Sequence, residues 1–552
     1  MLQKTPPAEL RKLARANRHL RHAPRATIDF ETRSVLDVTK VGAWIYSRHA
    51  STEVLCLAYK LPGWKRPKLW HMAHPDIGIE ASPLPKELFQ WIRRGGLVEA
   101  HNAEFEMCIW QNVCLAMGWP AIKPEQWRCS AAKASAVALP RALNDLCVAL
   151  GLPPDLQKDK RGKDLLRKYS RPKKLTKDEK LLWGVDAIIF NEDAEGLAEL
   201  WAYCIQDVVA EEACSEDTPD LPPDELRLWQ ITVAMNMRGV MIDVELCEAA
   251  LKLAGKAKAK ANEELEELTG GTDDEESIGS GTQRAALKAW LEKYEGFTLE
   301  DTKGKTLEWY IERGRDLDGK PISAKALRIL EIIKEVNRTS TNKYKRMLQC
   351  VDTDDRIRGN LVYCGAERTG RFSGKGVQLH NLPKGRFTAP KPKKPGADAT
   401  PEQWAEYKRR MASVMDDAVA AVKSGDLAWC EAFYGDVMNL VASCLRGVVI
   451  APPGKDLMIA DYASIEARCI LWLAGAMTAL EVFKGGGDIY CDMASGIYGH
   501  EVTKDNARVI SSSGATERDF GKVAILGLGY GMGWVKFLIT LRTYNIRLTR
   551  AE

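Results

Sequence analysis

Apolar and polar residues alternate in two stretches near the start, ATIDFETRS (26–34) and TEVLCLAYKL (52–61), linked through VGAWIYS. A period of two predicts β-strands there. A third short apolar piece, GLVEAHNAEF, passes into the helical pattern EMCIWQNVCLAMG, and RALNDLCVALGL and EGLAELWAYCIQDVVAEEACSE are further helical stretches. Strands followed by helices up to about residue 215 predict an α/β unit. After the acidic, proline-bearing SEDTPDLPPDE, the chain from Leu226 to about Tyr344 is Lys/Glu-rich and helical, interrupted by the polar TGGTDDEESIGSGT. A separate helical domain is expected. A third unit starts near Arg356 with the strand IRGNLVYCG and continues through TGRFSGKG, a basic proline-rich loop and a helical insertion from Pro401 to Lys423. DLMIADYASIEARCILWLAG then predicts strand, short turn and helix, and the last stretch is helical. No fixed-period repeat is present.

At 552 residues the chain is too long for one hydrophobic core, and roughly three or four units are expected. It has no apolar run of about 18 residues, so no membrane partner is expected. The 14 cysteines are scattered and no two form C-x-x-C, which predicts reduced thiols and a cytoplasmic protein. Residues 1–26 carry seven Lys/Arg against one Glu. They lack the apolar core of a secretory signal, leaving a solvated basic tail, a nucleic-acid arm or an organellar address. A net charge of +4 decides nothing, but its distribution is uneven: eleven basic and five acidic residues lie between Asp155 and Lys180, and KGRFTAPKPKK (384–394) holds only basic charges. Each segment is either a hydrated loop or a track for phosphates, which need clustered cations.

Asp29 and Glu31 are two apart on a predicted strand, so both project from one face. Glu106 follows Asn102 by four at the opening of a helix, and Tyr203 and Asp207 are four apart on one helical face. Three separated segments thus deliver oxygen ligands of the kind hard divalent ions prefer. In this order, D-x-E, N-x-x-F-E and Y-x-x-x-D resemble the three exonuclease motifs of the DEDD proofreading nucleases that carry a tyrosine. The resemblance covers roughly residues 25–215 and implies a ribonuclease-H-like fold that removes nucleotides from a 3′ end. Asp29, Glu31, Glu106 and Asp207 would be the metal ligands, and Tyr203 would orient the attacking water. The second motif more usually ends in Asp; Glu106 is one methylene longer.

Asp461 ends an apolar predicted strand and is followed by Glu466 and Arg468 on a helix; alone, such an acid is equally a helix cap. In RDFGKVAILGLGYGMG, Arg518, Lys522 and Leu526 step round a helix by only about 40° each, with Tyr530 about 120° from the first. Two cations on a largely apolar helix are costly unless an anion compensates them. A triphosphate would do so, with Arg bidentate and Lys a point charge; an ordinary basic surface helix is the alternative. D-Y-A-S-I-E-A-R, then R-x-x-x-K and G-x-G-Y-G, resemble motifs A and B of family A DNA polymerases, the DNA polymerase I group, and most of all its bacteriophage members. NMRGVMID, RTSTNKYKRML, RTGRFSGKGVQLHNLP and CLRGVVIAPPG occur in matching order. The resemblance implies that Asp461 binds the catalytic ions, Arg518 and Lys522 grip nucleotide phosphates, and Tyr530 stacks near the new pair. It also places Glu466 where a ribose 2′-hydroxyl would collide, Arg371 in the minor groove at the primer end, and Arg468 among the DNA-binding residues. Leu526 and Tyr490 stand where relatives often have an aromatic and a phosphate-contacting histidine.

The family's motif C, a His-Asp-Glu turn, supplies a second palm aspartate, yet none of the eight histidines here is followed by Asp. The expectation is therefore an α/β multidomain protein with a basic tail (1–24), a DEDD 3′–5′ exonuclease domain (25–215), a helical thumb-like region (216–350) and an incomplete palm and fingers (351–552). The palm's central strand should lack partners. As a family A DNA-directed DNA polymerase with proofreading exonuclease it would use Mg²⁺ or Mn²⁺ in two-metal sites and take primer–template DNA and dNTPs. It would need a second polypeptide or remainder with motif C and, if phage-encoded, would work in the bacterial cytoplasm. The alternatives are a 3′–5′ exonuclease only, or a catalytically silent DNA-binding scaffold.

Overall fold

The computed structural model describes residues 22–157, 162–270, 277–338, 341–367, 369–383, 393–396, 399–511, 515–529, 531–542 and 546. Residues 1–21, most of the 384–394 segment and Tyr530 lie outside the described residues. The fold is mixed α/β and divides into two compact units, Met1–Lys455 and Asp456–Glu552. Among the described residues no helix is long and apolar enough to cross a membrane.

The first unit is built on a five-stranded sheet of β1 (Arg25–Arg33), β2 (Glu53–Lys60), β3 (Lys68–His71), β4 (Leu97–Ala100) and β5 (Trp127–Cys129), in the order β3-β2-β1-β4-β5. β1 runs antiparallel to β2 and parallel to β4, and β4 parallel to β5. β1 is largely buried on both faces, and the period of two sorts its residues. Ala26, Ile28 and Phe30 enter an aromatic-rich core with Trp110, Trp119 and Trp127. Asp29 pairs with Ala58 and Glu31 with Cys56. Cys56 and Ala58 pack on Cys204 and Val208, so the acids face the helix that carries those two residues.

Helix α1 (Glu104–Ile109) follows β4, and α2 (Ser130–Ala136) follows β5. The 23-residue α3 (Ala194–Glu216) is capped by Asp193, which accepts from the Gly196 amide. Leu197, Leu200, Tyr203, Cys204, Asp207, Val208, Glu211 and Cys214 are buried, three and four apart as one helical stripe requires. The acidic linker is docked: Asp220 lies 2.9 Å from Lys133 and 2.7 Å from Arg25. Beyond it come α4 (Pro223–Arg238) and the 26-residue α5 (Val244–Thr269). One end of α5 packs with Tyr344, Met347, Val441 and Leu445, the other with Leu287, Trp290, Ile329 and Ile333. Two antiparallel strand pairs belong to this unit: β6 (Val240–Met241) with β7 (Arg356–Ile357), distant in the chain, and the hairpin of β8 (Leu361–Ala366) with β9 (Arg371–Gly374). The expected insertion is α6 (Pro401–Ser424), which starts at a Thr400/Gln403 capping box and stops at left-handed Gly425.

The second unit is helical: α7 (Ile465–Leu473), α8 (Met477–Lys484), α9 (Ile489–Tyr498), α10 (Glu517–Gly529) and α11 (Trp534–Arg542). Phe520, Val523, Leu541 and Ile546 form its core. A Cβ on Gly521 would stand 2.2 Å from the Tyr490 carbonyl oxygen, so only glycine lets α10 lie this close to α9. The strand expected over 456–460 is not formed, and Met458 and Ile459 are 99% and 91% exposed. A strand's preference is largely its packing against neighbours; among the described residues none pairs with this segment.

Candidate functional site

Three elements, β1, α1 and α3, supply the candidate residues. Asp29, half-buried, and Glu31, buried, come from β1. Glu106 lies in the first turn of α1 and is 4% exposed. α3 presents Tyr203 and Asp207, both buried. Ligand atoms of Asp29, Glu31 and Cys204 all lie within 4.8 Å of one another. The Cys204 thiol donates to Asp29 through its backbone oxygen at 3.4 Å and Oδ2 at 3.6 Å.

The electrostatics record the crowding. Burial, then the Asp29 carboxylate, pushes the Glu106 carboxyl well above its ordinary value. Burial pushes the Tyr203 phenol up, followed by Asp207 and Glu31, and the phenol donates to Asp207. Glu106 Oε2 is buried and accepts no hydrogen bond among the described residues. An uncompensated buried acceptor costs about 1–3 kcal/mol. A divalent cation beside it would remove that cost, and the carboxylate set is the donor chemistry hard ions take. These residues therefore fit divalent metal.

Sequence reasoning passed over three residues here. Glu211, one turn beyond Asp207, is 1% exposed and accepts from Ser130 Oγ at 3.0 Å. Burial, then Glu99, Asp29 and Glu106, raises its carboxyl well above the ordinary range. Its signal was the helical spacing itself, since Tyr203, Asp207 and Glu211 are each four apart. Gly162 lies against the Tyr203 ring, where a Cβ would stand 1.8 Å from a ring carbon. Cys204 carried no polar signal, because a cysteine among apolar residues looks like core.

The second unit is arranged differently. Asp461 is exposed and belongs to no group of three or more clustered ligands among the described residues. Ser464, at left-handed φ 53°, donates to the Tyr490 hydroxyl at 3.4 Å. Glu466 is half-buried at the start of α7; Arg468 donates to the Ala463 carbonyl at 2.9 Å and lies 4.1 Å over the Phe483 ring. On α10, Arg518 donates through Nε and Nη2 to Asp488 Oδ2 at 2.9 and 2.8 Å. Its guanidinium lies 5.3 Å over the Tyr490 ring. The compensating anion for Arg518 is thus already a carboxylate, and Lys504 stands 3.4 Å from the same oxygen. Lys522 is half-buried one turn on. Arg371 is exposed at the start of β9 in the first unit, its backbone paired with Ala366.

No family model matches this sequence. The DNA polymerase of Bacillus phage SP02 is 31% identical over 531 residues, 95% of this chain and 72% of that protein. DNA polymerase I A of Arabidopsis thaliana chloroplasts and mitochondria is 36% identical over 67 residues, 12% of this chain and 6% of that protein. Among solved structures, the POL domain of Pol1 from M. smegmatis in complex with DNA primer-template and dNTP is 15% identical with a TM-score of 0.49, over 98% of this chain and 73% of that one. The long alignment to the phage enzyme places the chain in a class, the DNA-directed DNA polymerases. Within that class the chain belongs to the bacteriophage family A, DNA polymerase I-type enzymes. Its function is template-directed DNA synthesis, a chemistry that uses divalent metals.

Proposed function

We propose that the first unit holds the proofreading activity, a 3′–5′ exonuclease on a ribonuclease-H-like domain, and that the second holds part of a polymerase site. One observation carries the nuclease reading: Asp29, Glu31, Glu106, Tyr203 and Asp207, from three separated segments, share one buried neighbourhood. The strand order β3-β2-β1-β4-β5 with only β2 reversed supports the fold. Mg²⁺ held by Asp29, Glu31, Glu106 and Asp207 would neutralise charge on the phosphodiester and favour the attacking hydroxide. Tyr203, steadied by Asp207 and by packing on Gly162, presents its hydroxyl to orient the incoming water. Cys204 fixes the Asp29 carboxylate through its thiol hydrogen bond. The buried strands exclude bulk water behind the acids, which strengthens every charge interaction there.

For synthesis, Asp461 supplies one metal-binding carboxylate, Arg518 and Lys522 hold the nucleotide's phosphates, and Glu466 bars a ribose 2′-hydroxyl. Tyr530 stacks on the new pair, while Arg371 and Arg468 contact primer–template DNA. Asp488 holds Arg518 extended until phosphate oxygens compete for its two donors. The further palm acid would be supplied by a second polypeptide that carries the His-Asp-Glu turn. With Mg²⁺, primer–template and dNTPs, this chain is expected to shorten the primer without extending it. A polypeptide bearing the His-Asp-Glu turn should restore extension. Robust extension by the chain alone would overturn the incomplete-site reading, and an undegraded primer the nuclease reading.

A further inference from the structure

Residues 172–190 form a closed loop that leaves the first unit beside β1. Its base is pinned by the Pro172–Phe190 bridge and by the Lys173 amide donating to the Ile189 carbonyl at 2.8 Å. Inside it, Thr176 and Glu179 make a capping box, and Lys173 pairs with Glu179 at 2.7 Å. The loop is thus an ordered projection.

Its tip is unusual for a protein surface. Leu181, Leu182, Trp183, Val185 and Ile188 are all between 60% and 90% exposed. Single exposed apolar residues are ordinary, but five large ones within eight positions mark a contact surface. Lys174, Lys177 and Lys180 are exposed beside them and make no ion pair among the described residues, against exposed Asp178 and Asp186.

Position selects the occupant. The Arg33 guanidinium covers the Phe190 ring at 4.9 Å, and the Ser34 amide donates to the Ser170 carbonyl at 3.3 Å. Arg33 is two residues past Glu31, roughly 7 Å along the strand. On the other flank, the helix Gly162–Tyr169 that leads into the loop starts against the Tyr203 ring. The apolar tip and its lysines therefore rise from the rim of the acid cluster, where a DNA end would approach.

Resting on the nuclease reading, we propose that the tip is a strand-opening wedge: Leu181, Leu182 and Trp183 insert at a duplex 3′ end, replace lost base stacking, and deliver the freed terminal nucleotides to the acids. Apolar wedges unstack base steps at a cost of a few kcal/mol each, repaid by contact with the opened strand. Lysines at the tip meet the displaced phosphates.

The test uses the full chain and a primer–template with 2-aminopurine next to the primer 3′ end, first in EDTA. Wild type is expected to raise the fluorescence by unstacking the base, and Leu181→Ser/Leu182→Ser/Trp183→Ser to lose most of that rise. Because these side chains are exposed, the variant keeps the fold, checked by an unchanged melting temperature. With Mg²⁺, the variant should hydrolyse a paired 3′ end about tenfold more slowly, and single strands within about twofold of wild type. A second variant, Lys177→Glu/Lys180→Glu, should reduce the fluorescence rise and make its loss with salt shallower. Equal fluorescence in wild type and triple variant overturns the wedge, and so does an equal loss of hydrolysis on paired and single strands. A wild-type fluorescence rise that the variant loses, with no hydrolysis by either protein, upholds the wedge and refutes the nuclease reading instead.

Discussion

The two units treat acids in opposite ways. In the first, Glu31, Glu106 and Asp207 are buried beside Asp29, which a thiol steadies, and burial drives Glu106 toward its neutral form. In the second, Asp461 stands in solvent while the cation Arg518 is already paired with Asp488. The first arrangement sets buried carboxylates against one another, and the second leaves an acid in solvent and a cation within an ion pair. An acid's environment distinguishes the two regions more sharply than its presence in a motif does.

The largest contrast to break is catalytic. Asp29→Ala/Glu31→Ala is expected to lower 3′-end hydrolysis by about 10³-fold or more, measured on a labelled primer, whereas Asp461→Ala should leave that rate unchanged. Loss of hydrolysis in Asp461→Ala would merge the two regions and remove the contrast.

Next is Glu106→Gln, which should reduce hydrolysis about 100-fold while stabilising the metal-free protein by roughly 1–2 kcal/mol, because a buried carboxyl under like-charge pressure is removed. Chemical denaturation in EDTA reads the stability. Mg²⁺ should then raise the midpoint of wild type more than that of the variant. A destabilised variant with an undiminished Mg²⁺ response would show that Glu106 is structural.

In the second unit, Arg518→Ala is expected to weaken binding of a fluorescent dNTP about tenfold, and Arg518→Lys to recover only part of it, since an ammonium cannot engage two oxygens in one plane. Full affinity in Arg518→Ala would confine this arginine to its Asp488 pair.

The smallest effect concerns Asp220, an acid of the first unit whose cations are present. Burial opposes its ionisation, but Lys133 and Arg25 outweigh that and hold its pKa below the ordinary value. A folded pKa below the unfolded one gives stability that is complete above about pH 4 and lost as pH falls through the folded value. Urea midpoints from pH 5 to 2 should fall less steeply for Asp220→Asn than for wild type. Identical slopes would mean that the linker contact contributes nothing.

Much of the first unit was legible in the chain. The period of two over 26–34 and 52–61 located β1 and β2, and the four-residue spacing put Tyr203 and Asp207 on one face of α3. The insertion helix expected from Pro401 to Lys423 is found over Pro401–Ser424, and its capping box and terminal glycine are local signals that fix those ends. The strand expected over 456–460 is not formed for a definite reason: the unbroken apolar run Leu457–Ala460 shows what a segment could pair with, and pairing depends on a neighbour. Glu211 could have been noticed from spacing alone, whereas Gly162 against Tyr203 could not, since that contact joins residues 41 apart.

Sequence by itself determined the local elements, the order of the motifs and the family, because helical and strand periods, caps and aligned residues are properties of short stretches or of the chain read in line. Only the tertiary structure decided that Asp29, Glu31 and Cys204 lie together, that Glu106 and Glu211 are buried within reach of the Asp29 charge, and that Arg518 already has a carboxylate partner. Burial and charge proximity are set by which segments pack together, and those energies do not exist until the chain has folded.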